Sequence, residues 1–383
     1  MPTVVISPHN VVNFPAGAGH FWVYMQYAQG LRQLGCDVYW LENFRSSGNE
    51  VQDAAALSTF VTRMEPYGLG GKLIVYVSRG QTGASGVPYE YVGMTRSEAE
   101  AIFDQADVLL NFHYAMDPAL LARFRRTALV DIDPGLLQFW ISRGQLSVHP
   151  HDCYFTTGET VGTPAALFPD CGLAWIHIRP AVCLDRWPYA YDPHDATFTT
   201  VSIWDSDDWI VDGSEVYENT KRIAFLQFAE LPRMTSQALE LALYLGDRDV
   251  EDRYVLESHG WRVHHSREVA RTPEMYQSYI QQSRGEFSCA KPSCMKFQNA
   301  WVSDRSLCYL ASGKPVVVQH TGPSAFLPNG EGMFRFSTLK EAADALAAIN
   351  ADYERHCRSA REIAEAYFDA KQVAASILNF SLK

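Results

Sequence analysis

The sequence has no long hydrophobic run. None of its apolar stretches approaches the roughly 18 uninterrupted residues that a membrane-spanning helix requires, so we expect no membrane span. Residues 1–7 also lack the positive start and long apolar core of a secretory signal, and they are instead typical of a buried first strand. Both absences favour a cytoplasmic protein.

Paired cysteines are missing as well. The eight cysteines are scattered without a C-x-x-C pair, and several, such as Cys36 and Cys308, lie within apolar segments. Scattered thiols in apolar surroundings are typical of reduced core residues rather than of a disulfide framework or a zinc site. This pattern agrees with a cytoplasmic location.

Positive charge is scarce. The 32 Lys and Arg residues are outnumbered by 44 Asp and Glu residues, which gives a net charge of −12. Such an excess of negative charge counts against a broad nucleic-acid surface or an anionic membrane surface. This charge disfavours a nucleic-acid acceptor, with a DNA-modifying transferase as the alternative, and a small basic pocket for a phosphate is compatible with the balance.

Three common nucleotide and hydrolase motifs are absent. The chain has no G-x-x-x-x-G-K-[S/T] loop and no G-x-S-x-G elbow. A dinucleotide fingerprint begins at Gly17 and Gly19, but Trp22 stands where its third glycine belongs. These absences argue against a P-loop nucleotidase and an α/β-hydrolase.

What the sequence does contain is an alternation of β-branched runs and amphipathic segments over 383 residues, a length that suits two domains. Buried strands are predicted at residues 3–7, 36–41, 73–77, 108–112 and 128–132, and a second alternation starts at residue 197. Residues 141–198 are predicted to be irregular. The predicted fold class is α/β, with two Rossmann-like domains, 1–190 and 197–360, whose parallel sheets face a cleft.

The most informative segment is residues 303–318. It predicts a short helix that begins at Ser303 or Asp304 and ends at Gly313, followed after Pro315 by a buried strand. The backbone N–H groups of the helix start, with Arg305 and Ser306 in the first turn, suit an anion such as a diphosphate. We therefore predict a phosphate-binding site at this helix start.

Further candidates surround this segment in the sequence. Lys221 and Arg222 lie at the start of a predicted helix, where they either neutralise a diphosphate or form an ordinary solvated face. Glu286 and Asp304 are candidates for hydrogen bonds to ligand hydroxyls, with a structural role as the alternative. The loop that contains Thr321 and Gly322 follows the next strand and is predicted to line the same pocket.

The first half offers a possible base. Gly17 and Gly19 permit close approach of a ligand to the backbone, and His20 lies at a predicted helix start, where the helix dipole favours a neutral imidazole. A neutral histidine suits a general base toward a hydroxyl, with a capping or core histidine as the alternative.

An aspartate pair follows a predicted strand of the first half. Asp131 and Asp133 are catalytic candidates as partners of His20. Their D-x-D spacing also suits a divalent cation, but the Pro-Gly that follows is typical of an ordinary turn. We predict no metal site here.

Several of these segments resemble the GT-B glycosyltransferases. The run Ala311-Ser312-Gly313-Lys314-Pro315 and the later Gly330-Glu331-Gly332 resemble the donor-binding half of retaining and spore-coat-type members. Gly19-His20 resembles the first unit of inverting members. Two departures stand out, since Cys308 replaces the second glutamate of many retaining members and residues 110–113 lack the aspartate that inverting members pair with their histidine.

The resemblance implies a final helix, residues 361–383, that returns to the first domain. It also implies a glycosyltransferase that moves a sugar from a nucleotide-diphosphate sugar, such as a UDP-sugar, to a hydroxyl of a small-molecule or glycan acceptor. His20 would activate the acceptor, and Arg305, the helix start and Lys221 would stabilise the diphosphate, with no cofactor and no metal. The alternatives are a nucleotide-sugar epimerase or hydrolase of the same fold, or a non-catalytic sugar-nucleotide-binding protein.

Overall fold

The computed structural model describes residues 1–78, 89–204, 209–246 and 248–383. The chain divides into two compact units, and each is an α/β structure built on its own sheet. The first unit comprises residues 1–157, 169–179 and 370–383, and the second comprises 158–168 and 180–369. Among the described residues, no helix combines the length and the apolar character needed to cross a membrane.

The first unit contains an eight-stranded sheet with the order β4-β3-β2-β1-β5-β6-β7-β8. Every neighbouring pair is parallel except β3 and β4. Labels number the elements along the chain. The strands are β1 Thr3–Ser7, β2 Asp37–Asn43, β3 Leu73–Ser78, β4 Tyr89–Val92, β5 Val108–Asn111, β6 Thr127–Asp131, β7 Cys153–Thr156 and β8 Trp175–His177. The helices are α1 Ala18–Gln33, α2 Glu50–Met64, α3 Arg96–Gln105, α4 Pro118–Leu121, α5 Leu136–Ser142 and α14 Ala370–Ser381, with a 3-10 turn at Glu65–Tyr67.

Helices α1 and α14 approach each other closely within the first unit. A Cβ atom on Gly30 of α1 would lie only 2.3 Å from the carbonyl oxygen of Ala370, so glycine is the residue that permits this approach. Most of α1 is buried, including its large residues Phe21, Trp22 and Met25. Burial of such an apolar face is the main source of helix stability in a globular protein.

The second unit contains a six-stranded, fully parallel sheet with the order β13-β12-β9-β14-β15-β16, and a separate two-stranded hairpin, β10-β11. The strands are β9 Thr197–Ile203, β10 Trp209–Asp212, β11 Glu215–Glu218, β12 Ala238–Tyr244, β13 Arg262–His265, β14 Gly285–Ser288, β15 Val316–Gln319 and β16 Met333–Phe336. The helices are α6 Lys221–Gln227, α7 Val250–Ser258, α8 Ser266–Val269, α9 Pro273–Gln281, α10 Pro292–Phe297, α11 Asp304–Ala311, α12 Leu339–Ala351 and α13 Tyr353–Tyr367, with a 3-10 turn at Leu231–Arg233.

The core of the second unit is rich in aromatic rings. Phe287 of β14 stacks on Phe336 of β16 at 5.2 Å and also contacts Phe225 and Trp261. All four rings are almost completely buried. Packing of large rings on the parallel sheet fixes the strand ends that carry the site described below.

The α/β fold class predicted from the sequence is confirmed. The five strands predicted for the first alternation are found within two residues of their predicted bounds, a strand begins at residue 197 as predicted for the second, and the strand predicted after Pro315 is β15. The prediction of an irregular segment over 141–198 is wrong in part, because β7 and β8 lie there and extend the first sheet. Both strands are short and only partly buried, so they lack the continuous apolar run of an inner parallel strand.

Candidate functional site

The segment predicted to bind phosphate folds as expected. Helix α11 spans Asp304–Ala311 with Ser303 at its N-cap, and Gly313 follows it with a left-handed φ of 70°. The N–H groups of Gly313 and Lys314 donate to the carbonyls of Leu310 and Tyr309, which closes the helix. The Ser303 side chain makes no capping hydrogen bond to α11. The positive end of the helix dipole is therefore not compensated by its N-cap side chain.

A pocket opens beside the start of α11, where β14 and β15 end. Its lining residues come from the ends of these strands, the segments after them and the first turn of α11: Ser288, Cys289, Ala290, Trp301, Val302, Ser303, Ser306, Val318, Gln319 and Thr321. The hydroxyl of Ser306 is buried there and has no hydrogen-bond partner in the structure. A buried hydroxyl without a partner costs free energy until a ligand or water supplies one.

Lys221 lies on the same side of the second unit. It is the first residue of α6, and its Nζ is 5.8 Å from the centre of the Trp301 ring that lines the pocket. Burial, together with the positive charge of Arg305, lowers the pKa of Lys221 from 10.5 to about 7. Its ammonium makes no hydrogen bond or ion pair with any residue that the structure describes. The carboxylates of Glu286 and Asp304 act in the opposite direction on this pKa, but among the described residues neither forms an ion pair with Lys221.

Arg305, predicted to bind phosphate, has protein partners instead. Its Nε donates to Glu286 Oε1 at 2.7 Å, Nη1 donates to the Val201 carbonyl at 2.7 Å, and Nη2 donates to Ser288 Oγ at 2.5 Å. Glu286, a candidate for ligand hydroxyls, is fully buried in this pair. Arg305 and Glu286, both predicted to contact a ligand, therefore bind each other. Together with the bonds to Val201 and Ser288, this ion pair holds α11 against the adjacent strands β9 and β14.

Arg222 also has an intramolecular partner. Its Nε and Nη2 donate to the two carboxylate oxygens of Asp252 at 2.5 and 3.0 Å, and Trp204 Nε1 donates to the same carboxylate. A bidentate pair of this kind has a fixed geometry. Of the predicted Lys221–Arg222 pair, only the lysine is therefore left for an anion.

The loop containing Thr321 and Gly322 closes the pocket from the side of β15. Thr321 Oγ1 donates to the carbonyl of Trp301 at 2.7 Å, and the Thr321 carbonyl accepts from the N–H of Ala300 at 3.0 Å. A Cβ atom on Gly322 would lie 2.4 Å from the carbonyl oxygen of Gln298. Thr321 therefore lines the pocket, as predicted. Glycine is required at position 322 because the backbone of Gln298 lies too close for a side chain.

In the first unit, His20 lies in the first turn of α1, where Gly17 is the N-cap and Gly19 the second residue. Its Nε2 is 2.6 Å from the carbonyl oxygen of His9, and its ring contacts Tyr24 edge-on at 5.2 Å. A carbonyl only accepts, so Nε2 carries the proton and Nδ1 is the basic nitrogen. A Cβ on Gly17 would meet the Phe14 ring at 2.1 Å, which accounts for glycine there by packing.

The two catalytic aspartate candidates have structural surroundings. Asp131 is completely buried, and its carboxylate accepts hydrogen bonds from Gln138 Nε2, Thr156 Oγ1 and the N–H of Asp133. Burial raises the pKa of Asp131 to about 7. Asp133 accepts a hydrogen bond from the Tyr114 hydroxyl at 3.1 Å. The Asp131 carboxylate shapes the turn after β6, and we do not assign it a chemical step.

His9, whose carbonyl accepts from His20, and His113 are not among the site residues predicted from the sequence. The rings of His9 and His113 stack with their centres 4.8 Å apart. Each histidine follows a buried strand, β1 and β5 respectively, and this position after a parallel strand is the signal that would have identified them.

Comparisons with known proteins identify the fold. Neither a family model nor a curated protein matches the sequence. Among solved structures, the chain is similar over 100% of its length to 99% of an alpha-glucosyltransferase in complex with UDP and a 13-mer DNA containing a central A:G mismatch, with 10% identity and a TM-score of 0.63. It is similar over 99% of its length to 100% of Anabaena HepE in complex with UDP-glucose, with 13% identity and a TM-score of 0.62. The chain is also similar over 99% of its length to 98% of the sucrose-phosphate synthase of Thermosynechococcus elongatus, with 11% identity and a TM-score of 0.57. The chain therefore has the GT-B glycosyltransferase fold.

Proposed function

We propose that this protein is a glycosyltransferase that takes a nucleotide-diphosphate sugar as donor and binds its diphosphate in the second unit, between Lys221 and the start of α11. The observation that carries the proposal is Lys221, which has no ion-pair partner among the described residues and whose pKa is lowered to about 7, beside a pocket lined in part by Ser303, Ser306 and Thr321. The solved structures of the same fold, which contain UDP or UDP-glucose, support the choice of ligand.

The chemistry follows from the charge of the leaving group. Transfer of a sugar breaks the bond between its anomeric carbon and the diphosphate, so negative charge grows on the phosphate oxygens in the transition state. A lysine ammonium and the N–H groups of a helix start stabilise such charge without reorganisation, because both are already in place. This arrangement supports diphosphate departure without a resident metal, which is part of the proposal.

Arg305 enters the proposal in a different role from the one predicted. Through Glu286, Val201 and Ser288 it holds α11 against the sheet, and it thereby fixes the direction of the N–H groups at the helix start. Its charge also lowers the pKa of Lys221. A bound anion raises this pKa again, so the lysine is more fully protonated in the complex than in the free protein. We therefore propose Arg305 as a positioning residue for the phosphate site.

His20 is the proposed base toward the acceptor hydroxyl. The His9 carbonyl holds its Nε2–H, which leaves Nδ1 as the nitrogen that takes a proton. The place of His20 at the start of a 16-residue helix favours the neutral, basic form. We propose a small-molecule or glycan acceptor, since the net charge of −12 counts against the DNA found with one of the similar structures.

Two measurements test this proposal. In a thermal-shift and calorimetry panel of UDP, GDP, ADP and dTDP with their glucose derivatives, we expect at least one nucleoside diphosphate to bind and its sugar to bind as well. A second assay follows release of the diphosphate from that sugar with and without a mixture of sugar acceptors. Acceptor-dependent release supports transfer. Release without acceptor would identify a hydrolase, a changed sugar without release an epimerase, and no binding by any nucleotide would overturn the donor site.

A further inference from the structure

Three neighbouring strands of the first unit each end in a segment with a basic side chain. Strands β2, β1 and β5 are adjacent and parallel, so their carboxyl ends meet at one edge of the sheet. His9 follows β1, Arg45 follows β2 and His113 follows β5. We call these three residues the basic edge. Ligands of open α/β sheets bind at this end of the strands.

The two histidine rings of the basic edge are in contact, and Arg45 acts electrostatically on both. The rings of His9 and His113 stack at 4.8 Å with an interplanar angle of 20°, and both residues are half-buried. Neither ring forms a hydrogen bond within the described part of the chain. Arg45 is exposed, and its guanidinium forms no ion pair or hydrogen bond with a described residue, since only its backbone bonds to Asn13.

The charges that act on the basic edge have one sign. Burial lowers the pKa of His9 to about 4, and the neighbouring groups that lower it further are His113, His20 and Arg45. For His113, burial and then Arg45 lower the pKa. The buried carboxyl nearby in β2, Glu42, accepts hydrogen bonds from Trp40 and from the N–H groups of Val11 and Val12. A protein with a net charge of −12 thus gathers basic groups here without using a carboxylate to balance them.

We propose that the basic edge binds an anionic group, a carboxylate or a phosphate, on the acceptor. The identification of the ligand as an acceptor rests on the proposed glycosyl transfer. The anion site itself is inferred from the positions of His9, Arg45 and His113. Arg45 supplies a fixed charge with a planar set of donors that fits either anion, and the imidazoles supply further N–H donors. An acceptor without an anion would leave the Arg45 charge without a counter-ion and would not favour protonation of the imidazoles.

Anion binding at this edge is coupled to proton uptake. An anion stabilises the imidazolium form, so a histidine that is neutral in the unliganded protein gains a proton in the complex. His20 of α1 acts electrostatically on His9, and the buried Glu42 of β2 accepts hydrogen bonds from the N–H groups of Val11 and Val12, which follow His9 in the chain. Because the linkage has this sign, affinity for a strong-acid anion increases as the pH falls from about 7.5 toward 5.5.

The test uses the full chain and three probes: inorganic phosphate, D-glucuronate and the neutral D-glucose. Calorimetry in two buffers of different ionisation enthalpy gives both affinity and protons taken up. We expect both anions to bind at least tenfold more tightly than glucose, and glucuronate, whose carboxylate stays ionised over this pH range, to bind with net proton uptake. Arg45→Gln is expected to weaken both anions at least fivefold, whereas Arg125→Gln, the loss of an equal charge at a 75% exposed arginine of the same unit, leaves them unchanged.

Two further arms separate the alternatives. His113→Gln is expected to reduce the number of protons taken up, an effect that a merely structural change of the edge would not produce while binding persists. UDP titrated into Arg45→Gln is expected to bind as in the parent, which separates an acceptor anion from the diphosphate of the donor. Equal binding of glucose and glucuronate, equal effects of Arg45→Gln and Arg125→Gln, or a weakened UDP complex would each overturn the proposal. Failure of UDP to bind the parent would instead contradict the donor site alone.

Discussion

The guanidinium Nε of Arg305 lies 2.7 Å from Oε1 of Glu286, and the two side chains are 6% and 0% exposed. This ion pair joins the first turn of α11 to the inner strand β14. The second Glu286 oxygen, Oε2, is buried and forms no hydrogen bond in the structure. Arg305 is therefore the principal partner of the Glu286 carboxylate, and the proposed phosphate site at the start of α11 depends on this pair for its position.

Loss of one partner of this pair is expected to be strongly destabilising. Glu286→Ala leaves the Arg305 charge buried without its carboxylate, which costs about 3–5 kcal/mol in the free energy of unfolding. Urea denaturation measures the loss. The matched control is Glu257→Ala, which removes the partner of the half-exposed Arg253 and costs under about 1 kcal/mol. Equal losses in the two variants would show that the buried pair does not hold α11.

Replacement of Lys221 by methionine is expected to separate stability from binding. The folded-state pKa of this lysine is lowered from 10.5 to about 7, so between these pH values the unfolded chain binds more protons. The stability of the parent therefore increases as the pH rises from about 7 to 10.5. The loss of stability caused by burial of the Lys221 charge is greatest below pH 7. Lys221→Met removes that penalty, and we expect it to be more stable than the parent at neutral pH by roughly 1 kcal/mol or more.

The same variant is expected to bind the donor poorly. A nucleotide sugar keeps its charge through neutral pH, so its affinity for the parent falls as the pH rises from 6 to 8 and Lys221 loses its proton. In Lys221→Met we expect affinity at least tenfold lower at pH 6 and little dependence on pH. Calorimetry provides the measurement, and Lys340→Met at a 77% exposed site of the second unit is the control. A variant that is both less stable and unchanged in binding would contradict the role of Lys221.

Glu42 is expected to make the first unit less stable at higher pH. Its side chain is buried, and burial raises its pKa from 4.5 to about 7. Between these values the folded state binds more protons than the unfolded chain, so stability falls as the pH rises from 4.5 to 7, by about 3 kcal/mol in total. Glu42→Gln should remove this contribution from the pH dependence of urea unfolding.

The control for Glu42 is Glu50→Gln, at an exposed position in the first turn of α2. Asp131, whose pKa is raised to about 7 by burial, contributes a slope of the same sign in both variants. The informative quantity is therefore the difference between the slopes of Glu42→Gln and Glu50→Gln. Parallel curves would mean that Glu42 is already ionised at low pH in the folded protein.

The parts of the fold that the sequence predicts well are those with local signals. Helix α11, Gly313 and β15 follow from a polar helix start, a left-handed glycine and a buried β-branched run within 17 residues of chain, so no distant contact is needed. Strands β7 and β8 lack such a signal because they are short and partly exposed. Their strand conformation depends on pairing with β6, which the sequence does not display.

The candidate site also contains residues that local sequence signals predict and residues that they do not. Local signals are sufficient to select Lys221 and the α11 start, which each begin a predicted helix, and Thr321, which follows the buried strand β15. The partners of Arg305 and Arg222 are not predictable, because Glu286 is 19 residues and Asp252 is 30 residues away in the chain, and only the fold brings them together. The stack of His9 on His113 arises in the same way from the adjacency of β1 and β5. The use of His20 as a base stays a prediction.

The approach of Gly30 to Ala370 has a consequence for the order in which the protein is made. Helix α14 belongs to the first unit, yet it follows the whole second unit in the chain. A ribosome therefore releases residues 1–157 well before the segment that covers α1 exists. During synthesis the apolar surface of α1 under α14 is exposed until about residue 380 emerges, so the N-terminal unit is the last to be completed. Its maturation, rather than that of the second unit, is the step on which a chaperone would act.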